Sequence, residues 1–167
     1  MELLRIEPIA RQHVRDQFDC GEDSLNQYLA QFARQNDQSN IAKTFVAADA
    51  ANAVLGYYSI SSASIEFSSI SAEMQKGLPM YPVPAARISR LAVDHSSRGS
   101  GSGAQLLIDA LQRIYRVSNE MGIKLLVVDA LNDSAKSFYE HYGFTQFPKQ
   151  GLTLFLPIET LNVLFEL

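Results

Sequence analysis

The chain contains no tryptophan and one cysteine, Cys20. A single thiol cannot close an intrachain disulfide, so the fold must rest on a packed core, and the composition suits a reducing compartment. Cys20 itself reads as a small buried or turn residue rather than a reactive thiol. No stretch approaches the ~18 consecutive apolar residues of a membrane helix. Met1-Glu-Leu-Leu-Arg-Ile6 carries charge where a signal peptide has an apolar run. The expectation is a cytoplasmic protein with no membrane association. Positive charge is also in short supply: 14 Lys and Arg face 18 Asp and Glu, a formal net charge of −4. That balance argues against a protein that coats nucleic acid over its whole surface, though a local basic patch can survive it. His13, His95 and His141 show no metal-ligand spacing with one another or with Cys20. No metal is therefore expected, and each histidine reads as a surface or turn residue.

Apolar residues are plentiful, at 47% against 19% charged. A chain of 167 residues with that balance predicts one compact domain over 1–167. In segment 18–38, Leu25, Tyr28, Leu29, Phe32 and Ala33 recur at helical spacing, with Asp23 or Ser24 as cap. Residues 43–49 and 53–65 read as an antiparallel hairpin around Asp49-Ala-Ala-Asn52. Residues 66–84 read as irregular and end in the proline-rich stretch 78–84. A third strand covers 87–93. A helix from Ala104 then carries Leu106, Leu107, Ala110, Leu111, Ile114 and Val117 on one face and stops at Gly122. Residues 124–130 include the run Leu-Leu-Val-Val of a buried central strand. Asn132 opens a short helix through Tyr142, and Gly143 ends it. Segments 144–147 and 152–157 complete the strands. The sum is a mixed α+β fold around one twisted, largely antiparallel sheet.

The chemistry concentrates in Arg98-Gly99-Ser100-Gly101-Ser102-Gly103, directly before the helix at Ala104. Three glycines let backbone N–H groups approach a ligand closely, and the helix start adds unpaired donors and its dipole. Arg98 adds a full charge, so the segment predicts a phosphate or diphosphate site. An empty structural turn is the bland alternative. The loose dinucleotide fingerprint Gly99-x-Gly101-x-x-Ala104 is satisfied, and Asp129 closes the next strand. However, Asp94-His-Ser-Ser-Arg98 separates strand from glycines, and the preceding sixty residues read as antiparallel rather than βαβ. A nucleotide triphosphatase is weaker, because no Lys-Ser/Thr follows the glycines.

Read instead as Arg98-x-x-Gly101-x-Gly103 after Leu91-Ala-Val-Asp94, the segment resembles the acetyl-CoA loop of the GNAT superfamily of N-acetyltransferases. Val128-Asp-Ala-Leu-Asn-Asp-Ser-Ala-Lys-Ser-Phe-Tyr-Glu-His-Tyr-Gly-Phe144 is similar to the second signature of that superfamily. Phe18-x-Cys-Gly-x-x-x-Leu-Asn-x-Tyr-Leu29, Asn40-Ile-Ala-Lys-Thr-Phe-Val46, Gly56-Tyr-Tyr-Ser59, Arg90-Leu-Ala-Val-Asp94 and Leu154-Phe-Leu-Pro157 resemble its toxin branch, found in type II toxin–antitoxin pairs. The resemblance implies a GNAT fold over nearly the whole chain. It also implies acetyl transfer from acetyl-CoA to the α-amine of aminoacyl-tRNA, which blocks translation, and a small ribbon–helix–helix antitoxin as partner. The net acidity fits a small-molecule amine or a protein N-terminus as the alternative acceptor. A non-catalytic CoA-binding module is a third reading, and a homodimer is open.

By the same resemblance, the strand edge Leu91, Ala92 and Val93 pairs with the pantetheine amides. An N–H near Leu91 polarises the thioester carbonyl. The diphosphate sits on backbone N–H groups from Arg98 through Ala104, with the Ser100 and Ser102 hydroxyls as further donors. Tyr139 is the expected general acid for the leaving thiolate, with Tyr142 as the alternate and a core aromatic as the bland reading of either. Asn132 either contacts the cofactor arm or only caps its helix. Arg87 and Arg90 are expected to contact nucleic-acid phosphate or to be solvated strand residues.

Overall fold

The computed structural model describes residues 2–165. Contacts divide the chain into two compact units: the chain up to Ser61 with Ser89–Arg113, and Ser62–Ile88 with the chain from Ile114 onward.

In the first unit, strands β1 (Arg5–Pro8), β2 (Lys43–Ala48) and the first part of β3 (Val54–Ile65) are antiparallel neighbours. The β2–β3 turn forms as expected. Asp49 Oδ1 accepts from the N–H groups of Ala51 and Ala53, both at 2.9 Å, and Asn52 takes the left-handed φ of +64°. The short β1 went unread because it has four residues and lies at the sheet edge. Segment 18–38 is not one regular helix. Helix α1 (Asp23–Gln27) and helix α2 (Ala33–Gln38) are separated by a π-helical turn over Tyr28–Phe32. That turn breaks the 3.6-residue period. Leu29 and Ala33 are sealed in the core, but Phe32, expected there, is 45% exposed. Asp23 and Ser24 do not cap α1. Its N-cap is Glu22, without a side-chain hydrogen bond. Tyr28, Leu29 and Ala33 pack with Phe18, Cys20, Val46 and Tyr57, and the Tyr57 hydroxyl donates to the Leu25 carbonyl at 2.7 Å. Cys20 is buried, as the composition suggested.

His13 departs from its expected surface position. It is buried, its Nδ1 accepts from the Ala10 N–H at 2.9 Å, and its Nε2 lies 2.7 Å from Glu7. Those partners satisfy a polar ring inside the protein. His95 and His141 are exposed.

In the second unit, a short helix α3 (Ala72–Gln75) leads towards strand β4 (Val83–Val93). That strand begins four residues before the position the prolines suggested, because Val83 and Ala85 join a buried cluster with Ile65, Leu125, Val127 and Phe147. Helix α4 (Ser102–Val117), which belongs to the first unit through Arg113, starts two residues early and ends five residues before Gly122. Its residues Leu106, Leu107, Ala110, Leu111 and Ile114 are buried, whereas Val117, in the last turn, is 40% exposed. Strand β5 (Leu125–Asp129) buries its first four residues completely. It pairs parallel with β4 on one side and antiparallel with β7 (Gln150–Pro157) on the other. Helix α5 (Asp133–His141) is capped by Asn132 and closed by Gly143 at φ +96°. Strand β6 (Thr145–Phe147) pairs with β7, and helix α6 (Glu159–Phe165) follows. No helix among the described residues is long and apolar enough to cross a membrane.

Gly56 in β3 is fixed by packing. A Cβ there would lie 2.8 Å from the Leu106 side chain and 3.1 Å from the Ala92 carbonyl oxygen. Leu106 is fully buried and cannot move freely. Gly56→Ala should therefore destabilise the protein by about 1–3 kcal/mol, read as a lower denaturation midpoint in urea.

Candidate active site

Strand β4 ends at Val93, where the Asp94 N–H donates to the Leu55 carbonyl at 2.8 Å. Asp94 Oδ2 then caps a 3₁₀ turn over His95–Ser97, accepting from the Ser96 N–H at 3.0 Å and the Ser96 hydroxyl at 2.7 Å. The backbone turns through Gly99 and Gly101, at φ +76° and +82°, a region that only glycine enters cheaply. Gln105 makes the first helical bond, from its N–H to the Gly101 carbonyl at 3.1 Å. The N–H groups of Ser102, Gly103 and Ala104 precede it and have no intrahelical acceptor. They lie at the positive end of a sixteen-residue helix and form a concentrated anion-binding surface.

Both loop serines make hydrogen bonds within the loop. The Ser100 hydroxyl donates to the Ser97 carbonyl at 2.5 Å and lies 2.8 Å from the Ser102 hydroxyl. These contacts shape the loop. Arg98 is held from an unexpected quarter: its Nη2 donates to the Cys20 carbonyl. The strap at residues 19–21 is further fixed by Asp94 Oδ1 accepting from the Asp19 N–H at 2.8 Å and by the His95 N–H donating to the Asp19 carbonyl at 2.9 Å. A guanidinium has five N–H donors, so Arg98 can hold Cys20 and still face an anion. Sequence reasoning assigned no role to this strap. Its visible signal was Gly21 after Cys20, at φ +89° with space for no more than a tight Cβ beside His95 and Arg98.

The register of β4 on β5 runs from Ala85 to Ile88. Leu91, Ala92 and Val93 lie beyond it in sequence. Ala92 is buried, and Leu91 and Val93 are half-buried. Arg90 is placed with its guanidinium 3.6 Å from the centroid of the Tyr28 ring, so it is not a solvated arginine.

In the second unit, Asn132 Oδ1 accepts from the Ala135 N–H at 2.9 Å, which establishes its capping role. Tyr139 is 5% exposed and edge-on to Phe138 and Phe144, at 5.3 and 5.6 Å between centroids. Tyr142 is half-buried and packs against Phe138. Burial, with the nearby charge of Asp129, pushes the Tyr139 hydroxyl far above its usual range. It therefore stays protonated at neutral pH and can give up a proton only to a strong base. Arg87 is ion-paired with Asp129, and the Thr153 hydroxyl donates to the same carboxylate at 3.3 Å.

The first unit thus offers a glycine turn at a helix N-terminus, and the second a buried, protonated tyrosine. Residues 40–146 match the model of the acetyltransferase (GNAT) domain, and the chain belongs to that family. It is similar to a tRNA-acetylating toxin of Mycobacterium tuberculosis, 33% identical over 88% of this chain and 87% of the relative. It is also similar to the solved structure of AtaT complexed with acetyl-methionyl-tRNAfMet. That likeness has a TM-score of 0.90 and 30% identity over 97% of this chain and 99% of the other. A tyrosine-to-phenylalanine mutant of the AtaT toxin, bound to the C-terminus of the antitoxin AtaR and acetyl-CoA, matches with a TM-score of 0.83. Its identity is 28% over 99% of this chain and 100% of that one.

Asp94 links the strap to the loop, and its titration gives a test. Burial pushes its carboxyl up, but hydrogen bonds from Ser96 and from the Asp19 N–H outweigh that and hold it below the usual carboxylate range. A depressed folded-state value means its contribution is complete above the unfolded value of about 4 and is lost as pH falls through the folded one. Asp94→Asn should therefore lower the melting temperature at pH 7. The difference from wild type should narrow as pH falls below about 4, in thermal melts across pH.

Proposed function

We propose that this protein is a single-domain cytoplasmic toxin that transfers the acetyl group of acetyl-CoA to the α-amine of aminoacyl-tRNA and so blocks translation. The observation that carries the reading is the near-full-length likeness to a tRNA-acetylating toxin, at 33% identity. A small ribbon–helix–helix antitoxin is the partner, in keeping with the AtaT–AtaR likeness, and a homodimer is the proposed state of the toxin.

The reaction joins the amine nitrogen to the acetyl carbonyl carbon and breaks the carbon–sulfur bond. The amine loses a proton and the departing thiolate gains one. An α-amine with a pKa near 8 is partly neutral at pH 7, so no strong protein base is required. The backbone N–H groups from Arg98 to Ala104 hold the diphosphate, and Arg98 adds charge. Leu91, Ala92 and Val93 pair with the amides of the donor's arm, and the N–H near Leu91 stabilises the developing oxyanion. Asn132 caps α5 with its oxygen and presents its amide nitrogen to the same arm. Tyr139 supplies the proton to the thiolate. Arg90 and Arg87 meet nucleic-acid phosphate.

The decisive experiment follows labelled acetyl from acetyl-CoA to total charged tRNA, deacylated tRNA and a panel of small amines. Label on charged tRNA alone supports the reading, and label on small amines alone replaces it with the small-amine enzyme that the net acidity favours. Tyr139→Phe should lower kcat by roughly 10²–10⁴-fold, because the ring keeps its packing while the proton donor is lost. Induced in a heterologous bacterium, the wild type should arrest growth and Tyr139→Phe should not.

A further inference from the structure

Asn26, in helix α1, spends both ends of its carboxamide on the strap that holds Arg98, and the roles above leave it unassigned. Its Oδ1 accepts from the Cys20 N–H at 2.9 Å, and its Nδ2 donates to Asp19 Oδ1 at 3.0 Å. The same carboxylate oxygen accepts from the Gly21 N–H at 2.9 Å. These bonds close around the Cys20–Gly21 peptide group: its N–H goes to Asp19, and its carbonyl receives Arg98 Nη2. The Cys20 side chain packs with Phe18, Leu29 and Tyr57, which anchors the strap to the core. The strap passes so close to the guanidinium that a Cβ on Gly21 would lie 3.3 Å from Nη2. Arg98 itself is exposed and makes no ion pair among the described residues, so its charge is not cancelled by a carboxylate. A long exposed arginine samples many rotamers, and holding it in one before the ligand arrives lowers the entropy cost of binding.

We propose that Asn26 is a positioning residue for the acetyl donor: by clamping the strap it fixes the Cys20 carbonyl, and that carbonyl aims the Arg98 guanidinium at the diphosphate. The residue type follows from the two bonds, because an amide accepts from one partner and donates to the other at once. A carboxylate in its place would face Asp19, whose own carboxyl is held below the usual range by the Gly21 N–H and by Asn26. The assignment rests on the donor half of the function proposed above, the diphosphate role of Arg98, and not on the identity of the acceptor.

Calorimetric titration with CoA tests this without any acceptor. Arg98→Gln should raise Kd roughly 10–100-fold, as expected for one charge-assisted hydrogen bond. Asn26→Ala should raise it roughly 2–10-fold, as expected when one side chain is no longer pre-ordered. In the Arg98→Gln background Asn26→Ala should have no further effect, a non-additivity that a merely structural role would not produce. In turnover the Asn26→Ala change should fall on KM for acetyl-CoA and leave kcat at saturating donor unchanged. Asn26→Asp keeps the size of the side chain and the bond from the Cys20 N–H but sets a second carboxylate against Asp19. It should weaken CoA binding as well, and it tests the clamp even if Asn26→Ala fails to fold. Combining it with Asp19→Asn exchanges donor and acceptor across the pair and should restore the affinity. Wild-type affinity in both Asn26 variants, or an equal loss with and without Arg98, overturns the assignment. An Arg98→Gln variant that binds CoA as tightly as the wild type would instead overturn the diphosphate role of Arg98, and the assignment with it.

Discussion

The backbone donors at the start of α4 are the constraint on which the rest of the candidate site depends. A helix leaves its first N–H groups without internal partners, and here three of them follow a loop that only glycine can turn so tightly. Such donors attract anions only if the loop holds its shape before the ligand arrives. Asp94, Ser97, Ser100 and Ser102 provide that shape through local hydrogen bonds. The strap at residues 19–21 supplies the outer support, since Arg98 reaches back to the Cys20 carbonyl. A phosphate site built on main chain varies little in position, because it does not depend on long side chains settling into one conformation.

The first unit offers main-chain N–H groups at a helix start, and the second a buried tyrosine hydroxyl. Burial among Phe138 and Phe144 keeps the Tyr139 hydroxyl protonated. Asn132 fixes the start of α5; the cap uses its oxygen and leaves the amide nitrogen.

What was legible in the sequence was local. The run Leu125–Val128 announced a strand covered on both faces, and all four residues are sealed. The Asn132 cap, the Gly143 stop and the left-handed Gly99 and Gly101 follow from residue chemistry within a few positions. The illegible features were those decided at a distance. Arg98 finds its carbonyl 78 residues away, and His13 is buried because Glu7 and the Ala10 backbone satisfy both ring nitrogens. The π-helical turn hides from periodicity because it changes the period itself, which moved Phe32 to the surface. Val83 and Ala85 extended β4 into a stretch whose prolines spoke for loop, because burial against Leu125 and Val127 outweighed local preference.

The acidic balance of the chain bears on how its surface would meet a polyanion. Several cations are already matched: Arg5 with Glu7, Lys43 with Asp37, Arg87 with Asp129, Arg113 with Asp109 and Lys124 with Glu159. Exposed pairs of this kind contribute little to stability, so stability alone does not account for them. Their effect on a nucleic-acid partner is larger. A paired arginine attracts weakly at long range because its neighbour cancels the field, yet its remaining donors are intact at contact distance. Recognition on such a surface depends less on steering than on fit at short range.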